Sequence, residues 1–244
     1  FIKIKYYILK VHLFVKTCYT LRESIFYGGS IMRRLKEFVR LDFLLTNNFK
    51  SNCTFLMSLI AIALFIINPT REKNICMYAM LVSTIADLML MNYKNIPEYL
   101  FKSKKLYVGM ALFVVMHILY ICCFGNHVIK ATMAFVNAEI AFFAFILVSM
   151  MSIFCWCICT FGSKPLFKIM SLLYMIVILA DVLVIYVCSY IHNYEYIYAA
   201  IGITFFLISD ILILFRETVK DSSTIRKLIW IFYPIGQMLI IFNA

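Results

Sequence analysis

The stretch Gly202-Ile-Thr-Phe-Phe-Leu-Ile-Ser-Asp210-Ile-Leu-Ile-Leu-Phe215 is a strongly apolar run with a single carboxylate inside it. A second run of the same kind, Leu81-Val-Ser-Thr-Ile-Ala-Asp87-Leu-Met-Leu-Met91, holds Asp87. A carboxylate in hydrocarbon costs about 3 kcal/mol or more, so a chain that keeps two at comparable depth is using them.

Composition says where these carboxylates live. Hydrophobic residues make up 64% of the 244 positions, charged residues 14%, and the mean hydropathy is +0.94. A soluble domain of this size cannot bury that much apolar surface. Runs able to cross the roughly 30 Å of bilayer hydrocarbon need about 20 residues. Seven are readable, at 51 to 68, 76 to 91, 106 to 124, 131 to 160, 166 to 190, 196 to 216 and 226 to 243. The expected fold is all-α, a polytopic transmembrane helix bundle of seven spans. An eighth is left open in Tyr6-Tyr-Ile-Leu-Lys-Val-His-Leu-Phe-Val15, which is short and charged.

The fourth run is long enough for one tilted helix or two short ones, and charge placement chooses between them. With one helix, the basic groups at 33 to 50, 94 to 105, 164 to 168 and 216 to 227 share one side, leaving Arg71, Lys73 and Lys130 on the other. Splitting the run removes that bias, so a single span is expected, with the segment before residue 51 cytoplasmic and the C-terminus outside. Basic loops also account for the net charge of +11 without a nucleic-acid partner. The expected partner on these grounds is membrane lipid, in the endoplasmic reticulum or plasma membrane.

The chain divides as 1–31, read as an upstream extension because it opens on Phe1 and Met32 is a credible start; 32–50, a basic cytoplasmic segment; and 51–244, the transmembrane domain. Nine cysteines suggest no disulfide framework, since most lie within spans as small buried hydrophobes. Cys155, Cys157 and Cys159 are spaced by two, which turns their side chains apart on a helix and argues for packing over metal binding.

No phosphate loop, serine elbow or zinc motif occurs, so any chemistry belongs to polar groups within the spans. Two further stretches carry them: Gly109-Met-Ala-Leu-Phe-Val-Val-Met-His117-Ile-Leu-Tyr120 and Trp230-Ile-Phe-Tyr233-Pro-Ile-Gly-Gln237-Met-Leu-Ile240. His117 with Tyr120 (i,i+3) and Tyr233 with Gln237 (i,i+4) each share a helix face. Counted from the cytoplasmic boundaries at 1.5 Å per residue, Asp87 lies about 6 Å deep, Asp210 about 9 Å, Tyr233 about 10 Å, and His117 and Gln237 about 16 Å. Four helices thus aim polar groups at one level. Pro234 is expected to kink the last helix and widen a cavity there. Glu139 and Asp181 read as structural, pairing with each other or meeting headgroups; His127 and His192 are unassigned.

The ordered blocks Ser83-Thr-Ile-Ala-Asp87, Gly109 through Tyr120, Gly202 through Asp210 and Tyr233 through Gln237 resemble the YhhN-type lysoplasmalogenase family over roughly residues 50 to 242. The resemblance implies a polytopic hydrolase that cleaves the vinyl ether of lysoplasmalogens, releasing a fatty aldehyde and a glycerophospho-choline or -ethanolamine. It implies Asp87 and Asp210 as catalytic carboxylates and His117, Tyr120, Tyr233 and Gln237 as substrate-binding residues. Two departures are Ala86, where the family usually has Gly, and seven spans against its usual eight. No metal or other cofactor is expected.

The chemistry suits these residue types. Vinyl ether hydrolysis needs one acid that protonates carbon and a second group that steadies the oxocarbenium ion or deprotonates water, the division of labour seen in glycosidases. The rival reading is a proton-coupled transporter with Asp87, His117 and Asp210 as a relay. A seven-helix receptor conflicts with the charge bias, and a purely structural subunit leaves the carboxylates unexplained.

Overall fold

Polar side chains set where several helices begin. Thr46 accepts a hydrogen bond from the Phe49 amide (3.2 Å), Thr70 from Lys73 (3.2 Å) and Ser222 from Ile225 (3.2 Å). Each satisfies an amide that the first helical turn leaves unpaired. Pro165 sits in the first turn of its helix, where a missing N–H costs nothing. In this computed structural model the described residues are 46–90, 105–130 and 139–244, all within the unit Leu44–Ala244. The upstream extension, the open eighth helix and most of the basic segment before residue 51 lie outside them, as do Lys94, Lys102 and Lys104.

Seven helices follow: α1 Asn47–Ile67, α2 Arg71–Leu90, α3 Lys105–Lys130, α4 Glu139–Thr160, α5 Pro165–Ile191, α6 Ile197–Thr218 and α7 Ser223–Asn243. All seven are long and apolar enough to span a bilayer, and the protein is an integral, multi-pass membrane protein. The fourth run holds one described helix, with 131–138 outside the described residues. Boundaries differ from the hydropathy reading at the ends. The first span starts at Asn47, the second takes in Arg71 to Lys73, and the third reaches Lys130. Long basic side chains tolerate terminal turns because their charged heads extend to the interface while their stems stay apolar.

Lipid tails are as apolar as leucine, so helices associate in a bilayer through close packing and hydrogen bonds rather than by escaping water. Both devices are present. A Cβ added at Gly202 would lie 2.7 Å from the Gly236 carbonyl oxygen, and one added at Gly236 would lie 2.7 Å from that of Gly202. The backbones of α6 and α7 therefore touch at this pair. Ser58 bonds Thr84 (2.5 Å) and the Met80 carbonyl (3.3 Å), tying α1 to α2. Tyr186 bonds Thr204 (2.7 Å) between α5 and α6, and Trp156 donates to Ser171 (3.0 Å) between α4 and α5.

Burial ranks the helices. Within their apolar stretches, 44% of α5 and α6 is buried but only 11% of α4, which stands at the periphery. Cys122 and Cys157 face outward, so the expectation of buried cysteines fails for these two; Cys76, Cys123, Cys159 and Cys188 meet it. The α7 helix runs unbroken through Pro234.

Candidate active site

Asp87 is 7% exposed on α2, one turn beyond Ser83. The Tyr233 hydroxyl of α7 reaches both, donating to Asp87 Oδ2 at 2.6 Å and lying 2.6 Å from Ser83 Oγ. This burial sets Asp87 inside the bundle. Asp210 on α6 accepts a very short hydrogen bond from the Tyr174 hydroxyl of α5. Arg216, six residues further along α6, pairs with Glu217. Each carboxyl is thus gripped by a tyrosine from a neighbouring helix.

His117 and Asp181 join the Asp210 side. His117 Nδ1 lies 2.8 Å from Asp181 Oδ2 with both side chains fully buried, and His117 Nε2 lies 3.4 Å from the Tyr174 hydroxyl. Asp181, expected to pair with Glu139 or meet headgroups, does neither in its described contacts: it is sealed against His117, and the Glu139 side chain lies outside the described residues. Four side chains from three helices form one chain of contacts, Asp181, His117, Tyr174, Asp210.

Aromatic rings separate the two arms. Phe206 packs against Tyr233 (5.4 Å between centroids) and against His117 (4.9 Å), while Phe113 meets Phe206 and Tyr233, each at 6.3 Å. Phe113 and Phe206 stand one helical turn before His117 and Asp210, so the same helix faces that present the polar groups also present the partition. Tyr120 and Gln237, both fully buried, bond each other at 2.6 Å, and the Gln237 amide reaches Met116 Sδ at 3.2 Å. They meet as their shared faces suggested, on the α3 and α7 sides of the bundle.

A cavity of about 70 Å³ lies between α2, α3, α5 and α6, walled by Tyr174, Asp210, Phe113 and Met110 and reaching helix-end residues such as Leu106 and Glu217. That is room for several waters beside Asp210, since one needs roughly 10–15 Å³ by this measure. No residue of α7 lines it, so the widening expected at Pro234 does not contribute to this cavity. Asp87, His117, Tyr120, Tyr233 and Gln237 stand behind this wall rather than on it.

Residues 48–244 match the YhhN family along most of the chain. The chain belongs to the YhhN family. No curated protein and no solved structure matches it. Asp87 and Asp210 of this YhhN-family chain fall inside the matched region.

Two features escaped the sequence reading. Tyr174 and Asp181 are seven residues apart, two turns on one face of α5 with Ser171, and that stripe was the available signal. His127 and His192 do form a cluster, at the other end of the bundle. Their rings pack 5.4 Å apart and against Tyr196, with Glu72 3.6 Å from His127. Burial pushes the Tyr196 phenol up to about 12, which keeps it neutral there.

The Tyr233 bond is directly testable. A buried hydrogen bond contributes about 0.5–1.5 kcal/mol, and leaving its partners unpaired costs about 1–3 kcal/mol. Tyr233→Phe leaves Asp87 and Ser83 without this hydroxyl and is expected to lower thermal stability, read by a detergent melt; an unchanged melt would show that the bond contributes nothing to holding α2 against α7.

Proposed function

We propose that the protein hydrolyses the vinyl ether of lysoplasmalogens with Asp87 and Asp210. One observation carries the reading: two carboxyl groups, each accepting a hydrogen bond from a tyrosine, lie on either side of an aromatic partition, Asp210 half-buried on the wall of a small apolar cavity and Asp87 buried behind it. A carboxylic acid delivers its proton to the vinyl carbon distal to the ether oxygen, leaving an oxocarbenium ion. Water adds to that cation and gives its proton to the other carboxylate, forming a hemiacetal. The hemiacetal collapses to aldehyde and glycerol alcohol as its hydroxyl proton leaves and the departing oxygen gains one, which returns both carboxyls to their starting states.

The dry aromatic surround favours this chemistry because charge developing on the substrate is not screened by bulk water. The cavity holds the hydrolytic water. The hydrocarbon chain lies outside it along the lipid-facing helices, and the phosphate points to the basic helix ends near Lys105 and Lys227. Residence in the endoplasmic reticulum or plasma membrane gives access to such lipids. The test is release of trapped aldehyde from a lysoplasmalogen but not from the matching ester lysophospholipid, using purified protein in liposomes; aldehyde from neither defeats the proposal. The contact chain from Asp181 to Asp210 favours one second reading, a proton relay, which predicts solute-driven proton flux in the same liposomes.

A further inference from the structure

The stripe of α2 that carries Asp87 runs back to a thiol. Cys76, Met80, Ser83 and Asp87 recur at intervals of four, three and four residues and are all buried, so they share one face of the helix. That face meets α3. The Tyr120 hydroxyl reaches Met80 Sδ at 3.6 Å, and one turn further on Cys76 Sγ lies 3.6 Å from Cys123 Sγ. The geometry points to a disulfide between Cys76 and Cys123 that fastens α2 to α3 at the end of the bundle away from Asp87.

Both thiols are sealed, at 2% and 0% exposure. The Cys123 thiol has the Glu72 carbonyl oxygen as an acceptor at 3.6 Å, which leaves its sulfur lone pairs for the Cys76 hydrogen. Thiols are weak donors and acceptors. Bonded sulfurs stand about 2.05 Å apart, so closure from 3.6 Å asks for about 1.5 Å of further approach and gives up only these weak contacts. Cys76 stands five residues from the start of α2 and Cys123 seven from the end of α3. The Lys and Arg bias of the loops expects that end outside the cytoplasm, where disulfides persist.

Closure is a thiol–disulfide exchange with a disulfide-bearing oxidant, either a small molecule or a protein. One cysteine thiolate attacks a sulfur of the oxidant and expels its other half as a thiolate. The second cysteine then attacks the mixed disulfide at the protein's own sulfur and expels the remaining half. Two thiol protons leave, two electrons pass to the oxidant, and one S–S bond breaks as another forms. Burial dates the step. The oxidant reaches the thiols while α2 and α3 are docking, and the packed bundle then shields the bond from reductant. The bond fixes the rotational setting of the two helices that carry Asp87 and His117.

The full chain is synthesised into microsomes, unfolded in one alkylating reagent, then reduced and treated with an isotopically heavier form of it. Peptide mass spectrometry reads the label on each cysteine. Cys76 and Cys123 should carry the heavy label and, before reduction, appear as one linked pair lighter by two hydrogens than its separate halves. Cys122 and Cys157, which face outward, should carry the light label. Synthesis with reductant present should turn Cys76 and Cys123 light as well. In a detergent melt the linked chain should unfold about 5–10 °C above Cys76→Ser. The labels are read on the wild-type chain, so a Cys76→Ser variant that fails to fold leaves the test intact. Light label on both positions without reductant overturns the proposal. So does a linked peptide joining either cysteine to Cys188, the buried third thiol near Cys123.

Discussion

Asp87→Asn should leave the protein inserted and folded while aldehyde release from a lysoplasmalogen falls by about 10³- to 10⁴-fold. Asparagine preserves shape and still accepts from Tyr233 through its amide oxygen, so packing around α2 and α7 is retained. It can neither give a proton to carbon nor take one from water. General acid catalysis contributes about 10²- to 10⁴-fold, and vinyl ether cleavage starts with that proton, which places the loss in the upper part of the range. Asp210→Asn should act comparably, because the mechanism uses one carboxyl of the pair as acid and the other as base. Both are measured as kcat in liposomes beside a thermal melt. Wild-type turnover in either folded variant ends the two-carboxylate mechanism.

The second large effect belongs to packing. Gly236→Leu should prevent recovery of folded protein, read by size-exclusion and protease resistance in detergent. At Gly236 even a Cβ would lie 2.7 Å from the Gly202 carbonyl oxygen and 2.9 Å from the Phe206 amide nitrogen. These are backbone atoms, which cannot rotate away as a side chain does. Overpacking a well-fitted core costs about 1–3 kcal/mol where side chains can shift, and separating α6 from α7 costs more because it displaces Phe206 and Tyr233 from the partition. Gly125→Leu, where nothing lies within 4 Å of an added Cβ, should be tolerated; equal damage at both positions would contradict the close-approach argument.

The sequence showed the seven spans because apolar length is a property of each segment alone. It placed Asp87, Asp210, His117 and Gln237 inside the bundle for the same reason, since a polar residue in mid-span has nowhere else to go; Asp87, His117 and Gln237 are buried, and Asp210 is half-buried on the cavity wall. Partners were harder. Tyr233 with Asp87, and Tyr174 with Asp210, are set by which helix faces meet, and no local pattern encodes that. Tyr174 was hidden among 16 tyrosines, a residue type that is common at membrane interfaces for its own reasons. Asp181 was misjudged because depth along one helix was compared with Glu139 and headgroups, when the decisive neighbour was His117 on α3. Pro234 drew attention as a kink, yet the space near Asp210 is lined by α2, α3, α5 and α6.

The buried His117–Asp181 contact also constrains the order in which this protein is made. When α5 enters the bilayer, Asp181 adds roughly 2.5–3.5 kcal/mol to the insertion cost, while each of its fifteen Leu, Ile, Val and Phe residues offsets about 0.3–0.6 kcal/mol. The sum favours entry of α5 as an independent segment, with its carboxyl unpaired. Capture of Asp181 by His117 then belongs to a later stage, after translation has delivered both helices, and serves as the check that α3 and α5 have found the correct rotational setting.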